Sequence, residues 1–305
     1  MSLLPAGCDN EPAGTALCLG VFDGVHKGHQ ALVAHCVAAA VARNLIPQAL
    51  SFDPHPAAFF GKTQAQHLLT LPARRAELLR NLGAANTIFA PFDQEFSQQT
   101  PEQFVDWIAN DLQAQLVVTG PDYRFGHRRL GTTKTLHELG VPRFECLIID
   151  EVGGDGLRYR SSEVRQALQD GDLARVRLLT GRDFDFSGAV VPGKGQGRSL
   201  GFATANLAVD ARQMLPPDGV YALRVEGRHG GFDGVMNLGR APTVRGEQGQ
   251  RIPEVHLLDF EGDLYGETLR VQLVKRLRLE RRFDSLAALK GQISEDVAAA
   301  RRALS

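Results

Sequence analysis

The sequence predicts two domains: an α/β domain built on a parallel sheet, then an antiparallel β-barrel carrying a terminal helix. Three observations lead there. The 305 residues suffice for two hydrophobic cores at about 150 residues each. Through residue 181, short apolar runs alternate with stretches of helical spacing, with no repeat of fixed period. From residue 182 onward, β-rich segments are punctuated by glycine. The expected domains are therefore 1–181 and 182–305.

In order, "TALCLGVF" reads as a strand, "GHQALVAHCVAAAVARN" as a helix and "LIPQALSF" as a second strand. "LPARRAELLRNLG" is a helix closed by Gly83, and "NTIFAPF" a strand. Thr100 and Pro101 supply an N-cap and a first helical residue for "PEQFVDWIANDLQ", and the strand "QLVVTG" follows. Strands separated by helices imply right-handed βαβ crossovers, hence a parallel sheet with helices on both faces. Farther on, "FDFSGAVVPG", "GVYALRVEGR", "GFDGVMNLG", "PEVHLLDF" and "ETLRVQLVKRLR" are close enough in sequence to pair as antiparallel neighbours. A final helix from about Ser285 to Leu304 aligns Leu286, Leu289, Ile293 and Val297 on one stripe, expected to face the barrel.

Charge excludes some function classes. Thirty-four basic residues against 35 acidic ones give a net charge of -1, so no bulk attraction to nucleic acid or anionic membrane is expected. No apolar run approaches the roughly 20 residues that span a bilayer, and "MSLLPAGCDNEPAG" lacks the basic start and apolar centre of a signal peptide. The expected location is the cytoplasm. Cys8, Cys18, Cys36 and Cys146 show no paired spacing, which argues for reduced, mostly buried thiols rather than a zinc site or disulfide framework.

The stretch "GVFDGVHKGH" follows the first strand and opens the first helix, where an open α/β sheet delivers backbone N–H groups to a ligand. Gly20, Gly24 and Gly28 permit close approach of a phosphate, and His26 and His29 lie one turn apart. Two imidazoles at a helix N-terminus suit nucleotidyl transfer, in which negative charge develops on departing pyrophosphate. Lys27 can add charge. The alternative is a pair of histidines that merely satisfy a helix cap.

With "SFDPHP", "GPDYRFGHRRLG" and "RSSEVRQAL" following in order, the chain resembles the bacterial bifunctional riboflavin kinase/FAD synthetases, whose N-terminal module belongs to the HxGH nucleotidyltransferase superfamily. The resemblance implies a Rossmann-like first domain. It also implies that Gly20, Phe22, Asp23, Gly24, Gly28, Asp53, His55, Asp122, Tyr123, Ser161 and Ser162 contact ATP or flavin, with His26, His29 and Arg165 catalytic. From the residues alone, Ser161 and Ser162 are placed to cap a helix, and Arg165 on it is either a phosphate clamp or a surface arginine. Val21, Pro121 and Glu163 depart from the family's usual Asn, acid and Arg.

The second half carries "PGKGQGRSLGFATANL". Its glycines, with Lys194 and Arg198, are able to wrap phosphate, but the spacing is not that of a Walker A loop, and an exposed hairpin is the alternative. The segment resembles the riboflavin kinase signature ending in PTAN, with Ala203 in place of Pro. That likeness implies nucleotide contacts from Gly193, Gly195, Gly197, Arg198, Gly201, Phe202, Thr204 and Asn206, with Thr204 and Asn206 also binding Mg²⁺. In "PEVHLLDF", strand alternation puts Glu254 and His256 on one face and Val255 and Leu257 on the other. Taken alone, Glu254 is a solvated strand carboxylate; the resemblance makes it the general base for the riboflavin 5′-hydroxyl. The implied function is riboflavin to FMN in the second domain and FMN to FAD plus pyrophosphate in the first. ATP is co-substrate in both. Two rivals remain: only one live activity, more readily the kinase, or a flavin-binding regulatory protein without turnover.

Overall fold

The computed structural model describes residues 14–62, 67–151, 153–154, 157–193, 202–240 and 251–305. The chain divides into two compact units, Met1–Ser161 and Ser162–Ser305.

In the first unit the elements run β1 (Thr15–Leu19), α1 (Lys27–Ala42), β2 (Ile46–Asp53), α2 (Pro56–Phe59), α3 (Pro72–Asn81), β3 (Asn86–Pro91), α4 (Gln94–Ser97), α5 (Pro101–Asn110), β4 (Ala114–Thr119), α6 (Thr133–Gly140) and β5 (Glu145–Ile148). A two-stranded ribbon, β6 (Gly153–Gly154) and β7 (Leu157–Arg158), follows. The five long strands form one parallel sheet in the order β3-β2-β1-β4-β5. Alternation on β1 feeds both faces. Ala16 and Cys18 pack with Leu32, Val33 and Cys36 of α1, while Leu17 and Leu19 pack with Phe104, Val105 and Ile108 of α5. The expected helix start at Thr100 is a full capping box with Gln103. Cys18 and Cys36 are buried and Cys146 partly so, all as free thiols.

The second unit takes up α7 (Ser161–Asp170) from its second residue and continues with α8 (Leu173–Thr180), then β8 (Phe184–Val191), β9 (Ala205–Val209), β10 (Gly219–Gly227), β11 (Gly230–Arg240), β12 (Arg251–Leu257), β13 (Thr268–Arg278) and α9 (Leu286–Leu304). The last six strands close an antiparallel barrel in the order β10-β11-β12-β9-β8-β13. The compact unit starts earlier than the change of sequence texture at Arg182 because α8 packs on β8 and β13. β9 lies within the stretch expected to be loop. Its pairing with β8 and β12 makes it a strand despite the adjacent glycines.

The terminal helix starts as expected, with the Ser285 hydroxyl accepting from the Ala288 N–H. Its buried face follows the expected stripe in part: Leu289, Ile293 and Val297 are half-buried, with Val297 packed on the barrel. Leu286 is 70% exposed, whereas Asp296, Ala300 and Leu304 are buried. Beside that stripe, the Arg278 guanidinium grips the Asp296 carboxylate at 2.8 Å and helps hold the helix on the barrel. Ala300 and Leu304 then pack on Val220, Ala222 and Val235.

Candidate active sites

Strand order reverses at β1, since the chain builds outward through β2 and β3 on one side and through β4 and β5 on the other. Ligands in open α/β sheets bind beyond the carboxyl ends of strands at such a switch point. A cavity of about 410 Å³ lies there, lined by Gly20, His26, Gly28, His29, Thr119, Gly120, Asp122, Tyr123, Asp150, Glu151, Tyr159, Arg160 and Ser161 among others.

His26 is the N-cap of α1: its Nδ1 accepts from the His29 N–H at 3.3 Å, which leaves the neutral ring's proton on Nε2. The two rings stack with centroids 3.6 Å apart and planes at 21°. Phe22 is fully buried and meets the His29 ring edge-on at 5.2 Å, which backs the pair. Capping the helix and facing a ligand are therefore compatible for this motif. The N-terminal N–H groups of α1 and both imidazoles sit at the cavity that an anion would enter. Lys27 lies 5.8 Å from the Tyr159 ring centre. Across the cavity, burial holds the Tyr123 phenol well above its usual pKa, so it stays an O–H donor. Arg160 reaches Asp122 at 3.3 Å and Glu151 at 2.5 Å.

The cavity thus unites Gly20, His26, Gly28, His29, Asp122, Tyr123 and Ser161 from the expected set. Asp23 is not among the lining residues. Its carboxylate is 1% exposed and turned away from the cavity, accepting from the Leu69 and Thr70 N–H groups at 3.2 and 3.0 Å. Phe22 and Gly24 also lie behind the lining rather than in it. Asp53 ends β2, and His55 caps the short α2 through Nδ1, outside the residues lining this cavity. Ser161 begins α7 but spends its hydroxyl on the Asp23 carbonyl at 2.8 Å. Ser162 and Arg165 follow on α7 and belong to the second unit. Thr119, Asp150, Glu151, Tyr159 and Arg160 were not anticipated. "ECLI" as a short strand would have been the signal for Asp150 and Glu151, because β5 carries its successors to the cavity rim.

On the barrel, the register sets Glu254 opposite Asn206 of β9 on one side and Asn237 of β11 on the other. Glu254 is exposed while Val255 is buried, as alternation requires. Directly paired residues share a face, so the carboxylate stands between two amides on the outer surface. Thr204 precedes β9 two residues before Asn206 and is half-buried. Gly193 packs against the Asn206 side chain so closely that a Cβ there would lie 1.7 Å from Nδ2. Phe202 meets the His256 ring edge-on at 5.5 Å, and His256 Nδ1 lies 2.8 Å from the Ala203 carbonyl. Gly195, Gly197, Arg198 and Gly201 lie outside the described residues. Asn237 was not anticipated; its register with Glu254 depends on strand pairing that "GFDGVMNLG" does not state.

The riboflavin kinase family model matches residues 180–304, and the FAD synthetase family model matches residues 8–163. Proteins named bifunctional riboflavin kinase/FMN adenylyltransferase are similar along nearly the whole chain. The one from Pseudomonas fluorescens is 39% identical over 293 residues, covering 95% of this chain and 93% of that protein. The Escherichia coli K12 protein is 38% identical over 291 residues, covering 94% and 92%. The Bacillus subtilis protein is 31% identical over 288 residues, covering 94% and 91%. A solved structure from Streptococcus pneumoniae, described as a macrolide-efflux protein, superimposes with a TM-score of 0.86 at 29% identity, over 96% of this chain and 95% of that one. That likeness supports the fold. Among the described residues, no helix is long and apolar enough to cross a membrane.

Proposed function

The chain belongs to the family of bifunctional riboflavin kinase/FMN adenylyltransferases, and we propose from its geometry how particular residues divide that work. The enzyme phosphorylates riboflavin with ATP to give FMN and ADP, and transfers AMP from a second ATP to FMN to give FAD and pyrophosphate. The working modules are 1–181 for adenylyl transfer and 182–305 for the kinase. The protein acts in the cytoplasm on small molecules, without nucleic acid or membrane partners, a reading supported by its balanced charge.

For adenylyl transfer, the FMN phosphate oxygen attacks the α-phosphorus of ATP and the bond to the β-phosphate oxygen breaks. His26 and His29 donate to the phosphates and stabilise the charge leaving with pyrophosphate, assisted by the N–H groups opening α1. Tyr123 donates from the opposite wall. On the motif alone, Ser162 and Arg165 are further phosphate ligands. The observation that carries this reading is the stacked histidine pair at the mouth of α1 in the switch-point cavity.

For the kinase, Glu254 takes the proton from the riboflavin 5′-hydroxyl as that oxygen attacks the γ-phosphorus of ATP. Thr204, Asn206 and Glu254 offer a hydroxyl, an amide oxygen and a carboxylate along adjoining edges of β9 and β12, a hard-oxygen set that fits Mg²⁺. Thr204 and Asn206 would hold it, and the ion would offset phosphate charge. Gly193 leaves the Asn206 amide its place. Incubating pure protein with riboflavin, ATP and Mg²⁺ and separating the flavins tests the whole scheme. FAD is expected; FMN alone or unchanged riboflavin refutes one or both assignments.

A further inference from the structure

We infer that Arg75, which touches nothing in the adenylyl-transfer cavity, is a positioning residue that sets the His26–His29 pair by holding the loop before it. The inference rests on the reading of that pair as the adenylyl-transfer site.

The loop needs to be held. Phe22 at φ 54° and Val25 at φ 39° occupy the left-handed region, beside Gly24 at φ 80°. Such backbone is strained for a β-branched residue and for a bulky one, and it persists only where the surroundings over-determine it. The turn closes through the Val25 N–H to the Phe22 carbonyl at 3.1 Å, and His26 follows immediately.

Arg75 connects the groups that fix this turn. It is 1% exposed on α3, and its guanidinium lies 5.9 Å from the Phe89 ring centre. Nη1 donates to Ser51 Oγ at 3.0 Å, and Ser51 donates to the Val21 carbonyl at 2.8 Å. Nη2 donates to the Thr70 carbonyl at 3.0 Å, and Thr70 Oγ1 accepts from the Gly24 N–H at 3.0 Å. The same Nη2 lies 3.6 Å from Asp23 Oδ1. Asp23 in turn accepts from Leu69 N, Thr70 N and Thr70 Oγ1. Ser51, Thr70 and Asp23 therefore each hold the loop on one side and Arg75 on the other. Only a planar fork serves three directions at once, which a lysine ammonium reproduces in charge but not in geometry. Removing the guanidinium also leaves a buried carboxylate without its counter-charge, a large perturbation at this depth. Displacement of reacting groups by about 1 Å is enough to cost 10²-fold in rate.

The test uses the full-length enzyme and Arg75→Met, Arg75→Lys, Asp23→Asn and the double variant Asp23→Asn/Arg75→Met. Adenylyl transfer from supplied FMN should lose roughly 10- to 100-fold in kcat for Arg75→Met with little change in KM for ATP, while kinase turnover in the same molecule holds. Arg75→Lys should recover part of the loss, and adding Arg75→Met to Asp23→Asn should cost less than it does alone. In ¹⁵N-histidine spectra, the His26 and His29 ring resonances should move while those of His35, His229 and His256 stay. A merely structural role would lower the folded fraction without that selective shift. Should Arg75→Met fail to fold, Arg75→Lys and Asp23→Asn carry the same measurements. Parental kcat in the folded variants, or a loss with unmoved His26 and His29 signals, overturns the inference. His29→Ala is the separate control: parental FAD formation there would sink the site assignment itself, whereas a loss there with none at Arg75 sinks only the positioning role.

Discussion

Replacing Glu254 by glutamine changes one property of the barrel site, its basicity. Glutamine preserves length and an acceptor oxygen, and the strand is anchored from its other face by the buried Pro253, Val255 and Leu257. The side chain is exposed, so stability should change by under about 0.5 kcal/mol, which for a unit of this size is a melting shift below roughly 2 °C. Loss of a general base removes about 10² to 10⁴ in rate, equivalent to roughly 2.7 to 5.4 kcal/mol of transition-state stabilisation. The two magnitudes are far enough apart to be read independently. FMN formation is followed by separating flavins after timed incubation with riboflavin and ATP. Riboflavin binding is followed by quenching of flavin fluorescence, and FAD formation is measured from supplied FMN. The expected outcome is selective loss of kinase turnover in a protein that melts normally, binds riboflavin and still adenylylates FMN. A stable variant with kinase turnover within about threefold of the parent refutes Glu254 as the base and leaves it a solvated strand carboxylate.

Other expectations follow from the same geometry. His29→Ala should lower FAD formation from FMN on the order of 10² to 10³-fold in kcat with kinase turnover retained, because its donor acts most strongly on the departing pyrophosphate; both half-reactions measured on one preparation decide it. Gly193→Ala places a methyl 1.7 Å from Asn206 Nδ2, so the amide must rotate away; kinase KM for Mg·ATP should rise about tenfold in titrations of Mg²⁺ against ATP, while stability stays within about 1 kcal/mol because only a side-chain end moves. A fragment of residues 162–305 should fold and make FMN without FAD, and should melt higher than residues 182–305. The shorter piece loses the buried Leu173, Val176 and Leu179 of α8, each contributing about 1.5–3 kcal/mol; equal melting temperatures would contradict this. Burial pushes the Cys146 thiol up to about 11 and holds Cys18 well above its usual range, so both are protonated at neutral pH. Native protein should leave them unalkylated, and denaturant should expose them, as peptide mass mapping would record.

What the sequence conveyed depended on how local the physics was. The β1–α1 corner is legible because strand, glycines and both histidines fall within fifteen residues, Thr15 to His29, and a helix N-terminus needs only its own cap. Glu254 is legible in direction because alternation is a property of one strand. The placement of Asp23 is not: the motif sets it beside the two histidines, but its partners are Leu69, Thr70 and Arg75, supplied by a helix and its approach far along the chain. Asn237 is visible only once β11 and β12 are paired, and the burial of Asp296 on α9 follows from its answer to Arg278 rather than from the helix's own apolar spacing. In each case a charged or polar group found its partner across the fold, where hydrophobic periodicity has no vote. Buried polar groups must be paired, so an acid in a motif has two readings, ligand-facing or scaffold-facing, and its neighbours decide between them. For Asp23 they decide for the scaffold. The motif's acid then holds the loop in a conformation its own residues disfavour, while the histidines that follow line the switch-point cavity.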